Sequence, residues 1–203
     1  MPTVEPVGIS LGKPRDERAD AARNRAHLIE VAKAMVAELG ADKVTMDGLA
    51  ERAGLGKGTV FRRFRTRAGI FLALLDEEES EFQKRVLFGP PPLGPGAPAV
   101  RRLVAFGHER IAFLMAHRVL AQAALDPGRP ISIARNPSLF HVQMLLREAC
   151  PDVSAHGALA LQLTAALEGP ILLYFLASKE AEPGPMPEQL AASWQTLVER
   201  LCH

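Results

Sequence analysis

Apolar residues along this chain recur at steps of three and four, the spacing that returns positions to one face of a helix. Leu28, Ile29, Ala32, Met35, Val36 and Leu39 form one such stripe, predicting a helix over residues 20–39 with Asp20 as its N-cap. Thr45 predicts the cap of a short second helix, 46–53. Gly54-Leu55-Gly56 is a turn, and Val60, Phe61 and Phe64 supply the inward side of a third helix, 57–64. A fourth is expected from Thr66 or Arg67 to about Val86, with Ile70, Phe71, Leu74, Leu75 and Phe82 on its apolar face. Its run Asp76-Glu77-Glu78-Glu79 reads as a solvated side. The proline- and glycine-rich stretch 89–98 allows no helix through it. Beyond it the pattern predicts helices at 99–116, 118–125, after Asn136-Pro137, at 152–178 and at 187–201. The period-two alternation of strands is missing, so the expected fold class is all-α.

Composition changes the picture little, but charge distribution changes it a good deal. The net charge of +1 argues against a nucleic-acid partner, yet residues 1–70 hold 13 Lys and Arg against 9 Asp and Glu. Residues 52–67 contain Arg52, Lys57, Arg62, Arg63, Arg65 and Arg67 and no acid. Phosphate attraction is screened over about a Debye length, so a local patch outweighs the global sum. Two short helices joined by a tight turn cannot enclose a core, but they can present the second helix to a DNA major groove.

Within that frame the residues divide by chemistry. Gly58 lets the backbone approach closely, and Thr59 offers a hydroxyl and a methyl. Arg62 or Arg63 can grip a guanine edge in two hydrogen bonds. Thr45, Lys57, Arg65 and Arg67 suit phosphates, which position a protein without reading sequence. Phe64 reads as core; Phe61 reads as core or as a contact. The glycines also have the flavour of a phosphate loop, but Gly58 follows Lys57 where such a loop needs Ser or Thr, and a helix precedes it where a strand should be.

The segment 45–64 resembles the TetR family of bacterial transcriptional repressors. Their pattern is a capped short helix ending in Ala-Gly, a turn, and Lys-Gly-Thr-hydrophobic-aromatic-x-x-Phe. It stands here as Ala53-Gly54, then Lys57-Gly58-Thr59-Val60-Phe61-Arg62-Arg63-Phe64. The match extends over about 20–80. Phe61 replaces the usual tyrosine, and Gly48 replaces an acidic or amide residue. Residues 1–19 mix proline, glycine and charge without periodicity and read as a disordered basic arm, and the resemblance implies a three-helix helix-turn-helix DNA-binding domain at 20–66. It implies a helical ligand-binding and dimerisation domain at 67–203. It also implies a cytoplasmic homodimer that binds double-stranded DNA at a palindromic operator and is released by a small-molecule effector. The helix from Thr66 to Val86 would couple the two events.

Arg110 falls within about 20° of Leu103 on its helix, on an apolar face, and Glu168 is the sole charge between His156 and Lys179. The two can pair with each other, line a ligand cavity or lie at an interface. Phe106, Phe113, His117, Phe140, Met144 and Leu167 are the expected lining beside them, suited to a largely hydrophobic ligand with one polar group. Ala158, Leu161, Ala165, Leu172 and Phe175, with Trp194, Leu197 and Leu201, offer an apolar surface for an intermolecular four-helix bundle. Cys150 and Cys202 lack metal-site spacing and read as two reduced thiols. Neither a cofactor nor a metal is expected. His27, His108, His117, His141, His156 and His203 are scattered without a nucleophile–base or metal-ligand spacing, so no enzyme is expected. The apolar run 157–178 holds Glu168 and Pro170 centrally and reads as a buried helix, so no membrane partner is expected. A ligand-independent DNA-binding protein is the alternative, with an all-helical enzyme behind it.

Overall fold

The computed structural model describes residues 14–125, 137–177 and 184–202, and all regular structure among them is helical. It divides into two compact units, residues 1–66 and 67–203.

The first unit holds α1 (Pro14–Leu39), a 3-10 turn (Ala41–Lys43), α2 (Met46–Ala53) and α3 (Lys57–Phe64). Helix α1 starts at Pro14, so Asp20 is not its cap; it pairs instead with Arg23, one turn on. Residues 14–19 thus belong to the helix rather than to the arm, and residues 1–13 lie outside the described ones. Leu28, Ile29, Ala32 and Met35 of α1 are buried, as are Leu49 and Ala50 of α2 and Val60 and Phe64 of α3. Polar clasps hold the trio. The His27 ring donates to the Ala53 carbonyl at 3.1 Å, and Arg52 reaches both oxygens of Glu38 at 2.6 Å. Thr45 Oγ1 accepts from the Gly48 amide at 3.0 Å, satisfying one otherwise orphaned donor. Gly54 ends α2 at φ 65°, a left-handed conformation that a side chain would oppose.

The second unit holds α4 (Arg67–Phe88), α5 (Ala99–Ala116), α6 (Arg118–Ala123), α7 (Pro137–Ala149), α8 (His156–Ala177) and α9 (Met186–Leu201). Helix α5 is its axis, packed on α7, α8 and α9. Its buried side, with Leu103, Phe106 and Ile111, joins Phe82, Leu145, Leu146, Leu167 and Val198 in one core. Helix α9 docks through Trp194, whose Nε1 donates to the Leu103 carbonyl at 2.9 Å. Gly107 makes room for that indole: a Cβ there would overlap Nε1, Cδ1 and Cε2 of the ring. Among the described residues no helix is long and apolar enough to cross a membrane.

Cys150 and Cys202 are not the free thiols that the sequence leads one to expect. They form a disulfide, with Cα atoms 5.4 Å apart. Their separation of 52 positions hid the pairing, because the ends of α7 and α9 meet only in the folded unit.

Candidate nucleic-acid interface and buried polar cluster

Helix α3 begins at Gly56, which gives no side-chain cap, and its first turn holds Lys57 and no carboxylate. The positive end of its dipole is therefore open to an anion. Val60 and Phe64 point inward. At 100° per residue Arg62 lies about 180° from them, with Gly58 and Thr59 on the same outer side and Phe61 and Arg63 on opposite flanks. The two flanks differ. Lys57 Nζ sits 3.0 Å from Asp47 of α2, an exposed pair of small energetic weight that a phosphate can displace. Thr59, Arg62 and Arg63 face an open cavity of about 470 Å³ that Asn24 and Arg25 of α1 also line.

Phe61 departs from the inward-packing expectation. Its side chain is 48% exposed, because one residue beyond Val60 the helix has turned it to the surface. Lacking a hydroxyl, the ring can offer only apolar contact, of the kind made with a thymine methyl. Arg52, counted in the basic patch, is taken by Glu38. Arg65 closes α3 at φ 63° and ψ −45°, and the Thr66 amide donates across it to the Phe64 carbonyl at 2.7 Å. That is a γ-turn of the rarer, strained hand. In the second unit, the Arg67 guanidinium lies over the Phe71 ring, 4.8 Å from its centroid.

The other expected site resolves into a charge cluster. Arg110 Nε donates to Glu168 at 2.8 Å, its Nη1 pairs with Glu79, and its guanidinium lies 5.6 and 5.1 Å from the Phe82 and Phe113 centroids. Of the readings left open, pairing is the one observed. Glu79 belongs to the acidic run that reads as solvated, yet it serves as the third member. His117 lies 4.0 Å from Glu78 and stacks near Phe113. Phe106 and Leu167 are buried in the core. Phe140 and Met144 do not line an interior: they are 61% and 46% exposed, four residues apart on the outer side of α7. The inner side of α7 presents Ser138, His141, Val142, Leu145 and Leu146. His141 packs 5.0 Å from the Phe106 ring, and burial, aided by the Arg102 charge, lowers its pKa to about 4. His141 Nε2 and Thr164 Oγ1 are buried without a hydrogen-bond partner. Neither was singled out from sequence, although the Ser138, His141, Leu145 spacing marks the inward stripe.

Of the expected dimer surface, Ala158, Leu161, Ala165 and Leu197 are exposed, and Leu201 is half-buried. Trp194 is not available to a partner, being buried against Gly107 in its own chain. Leu172 and Phe175 lie on α8, but their side chains fall outside the described residues. Among the described residues no group of His, Cys, Asp and Glu is arranged to hold a metal ion.

Residues 28–74 match the family model of bacterial regulatory proteins, tetR family. Over that segment the chain is similar to the tetR family of bacterial regulatory proteins. Solved structures share the fold over most of their length. A protein described as a tetR-family transcriptional regulator from Mesorhizobium loti aligns with a TM-score of 0.56 at 16% identity, covering 89% of this chain and 97% of that one. A fatty acid metabolism regulator assigned in Clostridium perfringens gives 0.52 at 15%, covering 85% and 96%. NalD of Pseudomonas aeruginosa, the secondary repressor of the MexAB-OprM multidrug efflux pump, gives 0.51 at 16%, covering 87% and 95%. At such identities the likeness establishes the fold alone. No curated protein matches its sequence.

Proposed function

We propose that this chain is a regulator of the TetR type, a homodimeric repressor that binds a palindromic operator and is released by a small molecule held in its second unit. The observation that carries the reading is the outer side of α3. Gly58, Thr59 and Arg62 face outward there beside an uncapped, acid-free helix N-terminus. Arg62 reads base edges, with Arg63 and Phe61 on its flanks. Lys57, Arg65 and Arg67 hold phosphates, and Thr45 adds its hydroxyl. Exposed Ala158, Leu161 and Ala165 on α8, with Leu197 on α9, favour a second copy as partner, since an apolar face left in water is a docking surface.

For the effector, the closed Arg110 cluster shifts attention. The buried His141 and Thr164 atoms without partners supply the polar contacts for a largely hydrophobic ligand. Helix α4, which follows α3 after two residues, bears Glu79 and is the coupling element. Ligand favours a state with misplaced recognition helices, so DNA and ligand oppose each other. A second reading, regulation without a ligand, is favoured by the pairing of Arg110 with Glu79 and Glu168.

Selection of randomised duplexes on the purified protein tests the proposal. Enrichment of one palindrome supports it. Arg62→Ala then relaxes sequence preference, whereas Lys57→Ala weakens all duplexes and lowers the salt slope. Retention without any enriched sequence refutes the base-reading role of α3.

A further inference from the structure

The chain's two cysteines take no part in the α3 surface or the Arg110 cluster, yet the fold fixes both. Cys150 follows α7, where its amide donates to the Leu146 carbonyl at 2.9 Å and its carbonyl accepts from the His156 ring at 2.9 Å. Cys202 follows α9, its amide donating to the Val198 carbonyl at 3.1 Å. The Cα separation of 5.4 Å lies inside the span that a disulfide can bridge without backbone movement. Cys150 is buried and Cys202 half-buried, so an oxidant in solvent meets Cys202 first.

We propose that Cys150 and Cys202 are a reversible thiol–disulfide pair through which the protein responds to peroxides, the bond setting how firmly the end of α9 is tied to the α7–α8 corner. The inference rests on the reading as a DNA regulator. A protein that acts on DNA works where thiols are kept reduced, and a disulfide there is transient and regulatory rather than a permanent staple. The Cys202 thiolate attacks one peroxide oxygen; the O–O bond breaks, hydroxide leaves and a sulfenic acid forms. The Cys150 thiol attacks that sulfur; the S–S bond forms and water leaves. Two thiols and one hydrogen peroxide thus yield one disulfide and two waters. A dithiol reductant reverses the bond by exchange and leaves as its own disulfide.

The consequence falls on α9. With the bond open, the described polar ties of α9 to α5 are Trp194 to the Leu103 carbonyl and His108 to the Ala191 carbonyl at 3.1 Å, both before its last turn. The freed end adjoins Leu197, on the surface assigned above to the second copy.

The test uses the full chain, reduced with dithiothreitol or oxidised with hydrogen peroxide. Free thiols are counted, the bond is located by peptide mapping, and the dimer dissociation constant is measured by sedimentation. The expected result is an intramolecular Cys150–Cys202 bond in the oxidised chain and a dimer constant that differs by about tenfold or more between states. Cys202→Ser should hold the reduced value under both conditions, and Cys150→Ser should do the same. Failure of the bond to form, a bond between chains only, or one dimer constant in both states overturns the proposal. A shift in the dimer constant without any DNA binding would uphold the switch and sink the regulator reading. Specific DNA binding with no shift would do the reverse.

Discussion

Replacing Gly107 with Ala tests the packing of α9 on α5 at its tightest point. In an isolated helix the change should stabilise, by about 0.5–1 kcal/mol. Here the added Cβ would overlap three atoms of the Trp194 indole, and a helix backbone cannot shift enough to admit it. The ring must withdraw, and its hydrogen bond to the Leu103 carbonyl, worth about 1 kcal/mol, goes with it. Full loss of a buried Trp costs about 3–5 kcal/mol, and strain in a filled core about 1–3. With the helical gain subtracted, the net is about 2–4 kcal/mol of destabilisation. Trp194 is the chain's sole tryptophan, so its fluorescence follows both the native environment and unfolding. Urea titration at fixed protein concentration should show the midpoint lowered by about 1 M or more, given a slope of about 2–3 kcal/mol per molar. The native emission should move to the red. A midpoint at or above that of the parent, with unchanged emission, would refute the account of Gly107. Combining the change with Trp194→Leu should cost clearly less than the two singly summed, since they share one contact.

Arg110→Ala strands Glu79 and Glu168 together and should cost about 3–5 kcal/mol in urea melts, while Arg110→Met combined with Glu168→Gln recovers much of it; equal losses would mean that the charges are solvated. His141, with its pKa lowered from 6.5 to about 4, binds its proton in the unfolded chain first, so stability should fall as pH drops from 6.5 through 4. The loss is at most about 3 kcal/mol, and His141→Leu should flatten that stretch of the stability–pH curve; a parallel curve would exclude His141. Arg65→Gly relieves a residue held at φ 63° and should raise stability by about 1 kcal/mol while weakening DNA binding at all sequences. A loss of stability there would mean that the side chain contributes more than the turn costs.

Much of the first unit was legible because its signals are local. The stripe from Leu28 to Met35, the Thr45 cap and Gly54 each act within a turn or two of the chain. Helix spacing alone also put Arg110 on a buried face. What local spacing does not carry is contact with a neighbouring helix. Phe61 reads as core or contact from sequence, and the structure turns it out because α3 is only two turns long and Val60 and Phe64 already fill its inner side. Phe140 and Met144 are apolar, yet the stripe through His141 and Leu145 puts them on the other side of α7. Glu79 looked solvated inside a run of acids until Arg110 of α5 arrived beside it.

The sequence by itself determined an all-helical chain, its principal breaks and a basic recognition helix of the TetR kind, because caps, turns and the 3.6-residue period are written in adjacent residues. The tertiary structure alone decided that Arg110 joins Glu79 and Glu168, that Trp194 is closed over Gly107, and that Cys150 meets Cys202. Each of these contacts joins helices far apart in the chain. Their pairing depends on how whole helix faces pack, and no single spacing encodes that.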